Sequence, residues 1–359
     1  MVDVTRGNQR KPTVLIYRPQ DLSGDSHRRL ERSGCRVCIV EVGEDLDAAV
    51  AREKTVEALL AASFQGFRFD RPRLEALPEL RIVAKYTIGV DDVDVAAATD
   101  LGILVTHCPT EANWGGVAEG TIALILALMK RLEVRSARVK RGGWRSDDLR
   151  GTYLGAREDG YPGITLGIIG LGRIGRRVAE LMAPWKIKLL AADPYVDASG
   201  FARYGAEPVA LDELLARSDV VSIHCALTEE TEGLIDRDRI GLMQPHALLI
   251  NTARGRIVDV DAVCDALDAG RLGGAALDVL PEEPPAADAR ILAMDERVML
   301  SPHMVAANKG GTLTAAIPWA TDAVLAALNG RVPPHVYNEA VIERWTARFA
   351  DQPLLEPQQ

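Results

Sequence analysis

Runs of β-branched and aliphatic residues recur along most of the chain and alternate with segments whose apolar positions follow helical spacing. That alternation predicts parallel strands covered by helices, an α/β chain rather than a sandwich or a bundle. The strand-like runs fall into two series. The first comprises residues 13–17, 36–40, 59–62, 81–86 and 103–107, and the second residues 164–169, 188–192, 220–224, 247–251, 275–279 and 298–301. Between the series, residues 117–132 carry small and apolar side chains at helical spacing, as do residues 314–328. These two segments are expected to be helices that cross between domains. If the second packs back on the first series, the N-terminal domain is closed by the end of the chain. The expected organisation is then one domain of residues 1–112 and 310–359, with residues 113–309 inserted as another. Residues 142–163, rich in Gly, Asp and Arg, read as an exposed connection anchored by Trp144 and Tyr153.

At 359 residues the chain exceeds what one core usually organises, which fits two domains. Its 47% hydrophobic and 26% charged residues are ordinary for a globular protein. The longest apolar run, residues 121–129, falls short of the roughly 18 residues of a membrane span, and no membrane role is expected. The polar first twelve residues do not resemble a secretory signal, so a cytoplasmic location is expected. A net charge of -9 argues against a nucleic-acid partner, because phosphate binding needs a basic surface. The five cysteines, at 35, 38, 108, 225 and 264, are too scattered for a disulfide framework. Cys35 and Cys38 form a C-x-x-C, but they bracket the start of an apolar strand, residues 37–42, and no second pair completes a zinc site, so no metal is expected.

The first chemistry-bearing motif is Gly170-Leu171-Gly172-Arg173-Ile174-Gly175, which follows the strand at 164–169 and opens a helical segment at 176–185. In this context the first glycine allows a tight turn, the second lets backbone approach a pyrophosphate, and the third lets helix and sheet pack closely. The next strand ends at Asp193, 18 positions beyond Gly175, where a carboxylate accepts bonds from ribose hydroxyls. That carboxylate would repel a 2′-phosphate, and Pro194-Tyr195-Val196 supply no arginine to hold one, so NAD is favoured over NADP. The six strands of the second series suit a complete dinucleotide-binding, Rossmann-type fold.

Three further motifs fall at the C-terminal ends of predicted strands, where ligands bind in open parallel sheets. They are Asn251-Thr252-Ala253-Arg254-Gly255-Arg256-Ile257-Val258-Asp259, then Ala276-Leu277-Asp278-Val279-Leu280-Pro281-Glu282-Glu283-Pro284, then Leu300-Ser301-Pro302-His303. A guanidinium can hold the planar carboxylate and carbonyl of a 2-oxo acid together. Imidazole exchanges protons near neutral pH, and a carboxylate beside it stabilises the imidazolium. With the glycine turn, the order and spacing of these motifs resemble the D-2-hydroxyacid dehydrogenase family, which includes glycerate and phosphoglycerate dehydrogenases and hydroxypyruvate reductases. The resemblance runs from about residue 81 to the last helix and is weakest over the first 80 residues.

The resemblance implies two doubly wound domains, a Rossmann NAD-binding domain inserted in a discontinuous flavodoxin-like substrate domain. It also implies NAD(H)-dependent interconversion of a 2-oxo acid and a D-2-hydroxy acid, with domain closure excluding water. Arg254 becomes the substrate-orienting arginine, Glu283 the acid paired with histidine, and His303 the acid and base. The family's acid directly precedes proline, which selects Glu283 over Glu282. Its arginine precedes glycine, which is true of Arg254 and leaves Arg256 as a surface charge. Further cofactor contacts map to Gly170, Gly172, Arg173, Ile174, Gly175, Asp193, Cys225, Ala226, Thr231, Thr252, Ala253 and Asp278, with Asp278 on the nicotinamide amide. Cys225 reads equally as a small apolar residue. The turn Thr87-Ile88-Gly89-Val90-Asp91 resembles the family's carboxylate-binding turn, where Gly89 and Val90 contact substrate together with Arg254 and His303. A homodimer is the family's expectation, with residues 117–132 and the connection before the cofactor strand as contacts.

The chain departs from the family pattern at several places. Tyr86, Thr87 and Trp114 stand where small residues are common, Ala226 where proline is common, and Gly120 where a histidine is frequent. Trp114 either reshapes the substrate pocket or packs between domains. The connection at 151–163 is longer than usual. Two other functions compete. One is oxidation of another small anion such as phosphite; formate-oxidising relatives carry glutamine at the position of Glu283. The other is a non-catalytic, NAD-sensing role like that of related corepressors.

Overall fold

The computed structural model describes residues 10–40, 43–53, 55–62, 68–309 and 313–356. The chain divides into two compact units, one of Met1–Asn113 with Asn308–Gln359 and the other of Trp114–Ala307.

The first unit holds five parallel strands, β1 (Thr13–Tyr17), β2 (Arg36–Val40), β3 (Ala58–Ala61), β4 (Ile82–Lys85) and β5 (Leu104–Thr106), in the order β2-β1-β3-β4-β5. This is the flavodoxin-like order. Alternating side chains feed two cores, as strand geometry requires. Val14, Ile16, Ile82, Ala84 and Leu104 pack on one face beneath the helix Ile317–Leu328 and the aromatic pair Trp345 and Phe349. Leu15, Leu59, Val83 and Val105 pack on the other face with Leu46, Leu74 and Ala97 of three short helices. The end of the chain is stitched to the sheet by hydrogen bonds as well. Trp345 Nε1 donates to Arg81 O at 2.9 Å, and Asn338 accepts from Val105 N and donates to Ile103 O. The C-x-x-C is divided by the sheet: Cys35 belongs to one core and Cys38 packs against the other. Of the apolar run expected at 37–42, the last two residues lie outside the described residues.

The second unit holds seven parallel strands, β6 (Thr165–Ile169), β7 (Lys188–Ala192), β8 (Glu207–Pro208), β9 (Val220–Ile223), β10 (Leu248–Asn251), β11 (Gly274–Leu277) and β12 (Val298–Leu300), in the order β12-β11-β10-β9-β6-β7-β8. Renumbered from β6, this is the Rossmann order 3-2-1-4-5-6 with one further strand. The expected count of six is thus corrected to seven. The strand beyond the six is β12, whereas the strand missing from the expectation is β8, strand 3 of that order, an exposed two-residue edge containing proline that offers no apolar alternation to read. Such a strand suits a sheet edge, where proline removes no ladder bond. Leu166, Ile168 and Ile250 face the helices Arg173–Met182 and Glu111–Met129, while Val221, Leu249 and Leu277 face Leu211–Arg217 and Val260–Asp268.

The helix expected at 117–132 instead spans Glu111–Met129, 19 residues of which Gly116, Ala118, Thr121, Ile125 and Met129 are buried. Arg131, with φ 52°, breaks the chain before the next helix, Leu132–Lys140.

Candidate active site

In the second unit β6 lies between β7 and β9, so the turn after β6 sits where connections leave the sheet in opposite directions. Gly170 has φ 91°, and a Cβ there would meet Cys225 N at 2.6 Å, so only glycine allows this turn to pass beneath the segment after β9. A Cβ on Gly175 would meet Gly170 O at 2.1 Å, which seats the helix directly against the turn. A Cβ on Gly172 would meet nothing within 4 Å, so the backbone here borders open space. Six helices among the described residues begin on an aspartate that caps their first turn, at Asp45, Asp70, Asp94, Asp197, Asp236 and Asp259. The ten-residue helix Arg173–Met182 begins on Gly172 with no side-chain cap. The amides of Gly172, Arg173 and Ile174 therefore remain for an anion, and the residues present fit a dinucleotide pyrophosphate.

Asp193 stands just past β7. Its Oδ2 accepts from Leu171 N at 2.8 Å and its Oδ1 from Tyr195 N at 2.9 Å, so the carboxylate braces the glycine turn from the neighbouring strand. Cys225 follows β9 with its thiol pushed up to about 11 by burial, which keeps it protonated and unreactive. Ala226 O and Thr228 N are tied to the Thr231 hydroxyl at 2.6 and 2.7 Å, so Thr231 serves the loop's own shape. Thr252 is buried with its hydroxyl 2.9 Å from Thr121 Oγ1.

The three strand-end motifs meet around β10 and β11. Asn251, the last residue of β10, accepts from Ala253 N through Oδ1 and donates through Nδ2 to Arg254 O at 2.9 Å, which holds the arginine's backbone. Asn251 was not singled out from sequence; its signal was a buried amide at a strand end immediately before the arginine segment. Asp278 is buried. Its N donates to Asn251 O, its O accepts from His303 N at 2.8 Å, and its Oδ1 accepts from Met304 N and Val305 N at 3.0 and 3.1 Å. His303 needs that support, because its φ of 54° is left-handed, a conformation costing about 1–2 kcal/mol for a residue with a Cβ.

The ring thus presented places Nδ1 2.7 Å from Glu283 Oε2, while Glu283 Oε1 accepts from Leu280 N at 3.1 Å. Burial pushes the Glu283 carboxyl up, but the His303 bond and charge, the Leu280 amide and the Arg254 guanidinium together hold it below the ordinary carboxylate range. Glu283 is therefore the member of the Glu282-Glu283 pair that meets the histidine. Arg254 donates to Ala253 O at 2.6 Å, whereas Arg256 pairs with Glu232 at the surface.

In the first unit, the segment after β4 turns its carbonyls inward. Thr87 O accepts from Cys108 N, Ile88 O from the His107 ring, Gly89 O from Thr87 Oγ1 and Val90 O from Val93 N. The amides of Ile88, Gly89 and Val90 meet no acceptor among the described residues. Three successive amides without an acceptor leave this turn with donors available to an anion. Tyr86, which stands where small residues are common, has its ring fully inside the core with its hydroxyl unpaired, and burial pushes that hydroxyl's pKa up.

Comparison with known proteins points the same way. The family described as D-isomer specific 2-hydroxyacid dehydrogenase, NAD-binding domain, matches residues 122–305. A D-3-phosphoglycerate dehydrogenase of Mycobacterium bovis is 36% identical over 301 residues, which cover 82% of this chain and 54% of its own length. The chain thus spans about half the length of that relative. A glyoxylate reductase of Aeropyrum pernix is 38% identical over 286 residues, 77% of this chain and 82% of its own. Among solved structures, the D-lactate dehydrogenase of Aquifex aeolicus, complexed with NAD and lactic acid, is similar with a TM-score of 0.74 at 29% identity, covering 87% of this chain and 93% of its own.

Proposed function

Since this chain belongs to the D-isomer-specific 2-hydroxyacid dehydrogenase family, we propose that it interconverts a 2-oxo acid and the matching D-2-hydroxy acid with NAD as cofactor. The observation that carries this reading is the His303–Glu283 pair at 2.7 Å, held on the backbone of Asp278. The Gly170–Gly175 turn would hold the pyrophosphate of NAD, Asp193 its ribose and Asp278 its nicotinamide amide, and the bound cofactor would supply or accept the hydride.

The chain's own groups manage charge and protons. In the reducing direction, His303 gives a proton to the carbonyl oxygen of the 2-oxo acid; in the oxidising direction, it takes the proton from the hydroxyl. Because Nδ1 is committed to Glu283, Nε2 is the nitrogen that exchanges the proton. The ionised Glu283 stabilises the imidazolium and fixes the ring's orientation. Arg254 holds the carboxylate and carbonyl in one plane, and the amides of Gly89 and Val90 bind carboxylate in the first unit. The enzyme is proposed to act as a homodimer, a reading supported by the exposed apolar side chains Leu132, Val139 and Trp144 beside the partly buried helix Glu111–Met129. Sedimentation at micromolar concentration tests the dimer, and a monomer would refute it.

The chemistry is tested with His303→Ala. Turnover of glyoxylate and hydroxypyruvate should fall by about 10²–10⁴-fold while NADH still binds. Unchanged turnover would remove His303 from the mechanism. Normal NADH binding by the wild-type protein without turnover of any 2-oxo acid would favour a binding role instead.

A further inference from the structure

Lys85, the last residue of β4, has a side chain with no exposure to solvent, and its Nζ lies 2.7 and 2.9 Å from the two carboxylate oxygens of Asp92. Lysine is almost never fully buried unless paired, and burying an ion pair is weak evidence for a gain in stability. A buried pair in this position calls for another explanation. By strand alternation Lys85 shares the sheet face of Val83, whose core also holds Phe69, Val90 and Val93. The pair therefore ties the end of β4 to a residue seven positions later. The chain enclosed by that tie is the turn whose amides at Ile88, Gly89 and Val90 meet no acceptor among the described residues.

Asp92 is fixed at its backbone too, since its O accepts from Phe69 N at 2.7 Å. The far end of the turn is thus held twice, once by its backbone and once by the lysine. Charge matters as much as shape. Asp91 and Asp92 put two carboxylates beside a turn that is to receive an anion, and Asp91 also acts on Lys85 electrostatically. The ammonium offsets part of that negative charge, which would otherwise oppose an incoming carboxylate more strongly.

We infer that Lys85 and Asp92 are positioning residues for substrate: their buried ion pair shapes the 86–91 turn and offsets its negative charge, so that the amides of Ile88, Gly89 and Val90 can bind the carboxylate of a 2-oxo acid. This rests on the reading of that turn as a carboxylate site. The pair touches neither the hydride nor the proton. Its loss should weaken substrate binding and leave the chemical step and the cofactor alone.

The experiment uses the full chain with NADH. Glyoxylate gives kcat and KM, oxamate binding to the NADH complex gives a dissociation constant, and NADH fluorescence gives cofactor affinity. Lys85→Met should raise the glyoxylate KM and the oxamate dissociation constant about tenfold or more, with kcat and NADH affinity within about twofold. Lys85→Arg, which keeps the charge, should recover most of the loss. Because Lys85→Met leaves a buried carboxylate unpaired and can prevent folding, the double variant Lys85→Met/Asp92→Leu carries the same test with both charges removed. If the double variant folds and its KM stays raised, the pair positions substrate. If its KM and oxamate affinity match the wild type, the pair is only structural and the inference is overturned. Wild-type protein that neither turns over a 2-oxo acid nor binds oxamate would overturn the carboxylate reading and this inference with it; an active wild type with indifferent variants would overturn the inference alone.

Discussion

His303 and Glu283 share a hydrogen bond of 2.7 Å between Nδ1 and Oε2, and the same carboxylate is anchored by Leu280 N through its other oxygen. The glutamate is therefore held at both oxygens, and the ring it orients has one nitrogen committed. Because the bonds to Glu283 favour its ionised form, its folded value lies below the ordinary 4.5. The contribution of this pair is fully present above the unfolded value and is lost as pH falls through the lower, folded value. Glu283→Gln removes the anion that stabilises the imidazolium. Reduction of a 2-oxo acid should then slow by about 10–100-fold with NADH affinity unchanged, which kcat beside an NADH titration reads directly. Unchanged kcat would remove Glu283 from the proton-transfer step.

At Arg254 the geometry of the group matters, as well as its charge. Lysine cannot offer two parallel donors to a carboxylate and the adjacent carbonyl. Arg254→Lys should lower kcat/KM by about 10–100-fold, the equivalent of roughly one charged hydrogen bond, with NADH affinity unchanged. Steady-state kinetics beside NADH titration checks this, and retention of full kcat/KM would assign substrate orientation elsewhere.

Two glycines of one turn should behave oppositely. A methyl on Gly172 meets nothing within 4 Å, so Gly172→Ala should leave the melting temperature of the free protein near wild type while weakening NADH binding, because the methyl enters the space meant for pyrophosphate. A methyl on Gly175 meets Gly170 O at 2.1 Å, so Gly175→Ala should destabilise the unit itself by about 1–3 kcal/mol. Thermal melts with and without NADH separate the two, and equal melting losses would contradict the packing described.

His224 predicts an acid sensitivity that has no link to catalysis. Its Nε2 lies 2.8 Å from Ser222 Oγ and its Nδ1 is sealed from solvent without a partner. Burial lowers its pKa from 6.5 to about 3, so the unfolded chain binds the extra proton between those values and the folded chain does not. Stability from this group is complete above pH 6.5 and declines as the pH falls toward 3. Between pH 7 and 5 the wild type should lose about 2 kcal/mol more than His224→Asn in urea unfolding. Parallel curves for the two proteins would count against a buried neutral imidazole.

What could be read from residues alone followed how local each signal was. β1, β2 and β7 match the expected spans because apolar runs bounded by polar turns define them. β8 was invisible, since two exposed residues gain their strand character only from pairing with Leu190 and Ala191. The helix Glu111–Met129 starts six residues before its expected beginning, because Glu111-Ala-Asn-Trp-Gly-Gly carries no apolar stripe and two helix-weakening glycines. Arg254, Glu283 and His303 were legible as motif positions, but the backbone of Asp278 that joins them was not. Nor was the Lys85–Asp92 pair. A lysine ending a strand reads as a solvated charge until the fold folds the turn over it.

The split of the first unit between two stretches of chain has a bearing on how the protein is made. Synthesis runs from the N-terminus, and domains generally fold as units while the chain emerges. The sheet β1–β5 is completed first, yet the helix that covers one of its faces and the Trp345 that seals it arrive only after all of residues 114–307. During that interval the inserted unit is contiguous and can fold alone, while the earlier sheet waits with Val14, Ile16, Ile82 and Leu104 uncovered. The order of emergence therefore lets the inserted unit gather its whole core while the sheet β1–β5 keeps one apolar face uncovered until residues 317–349 follow.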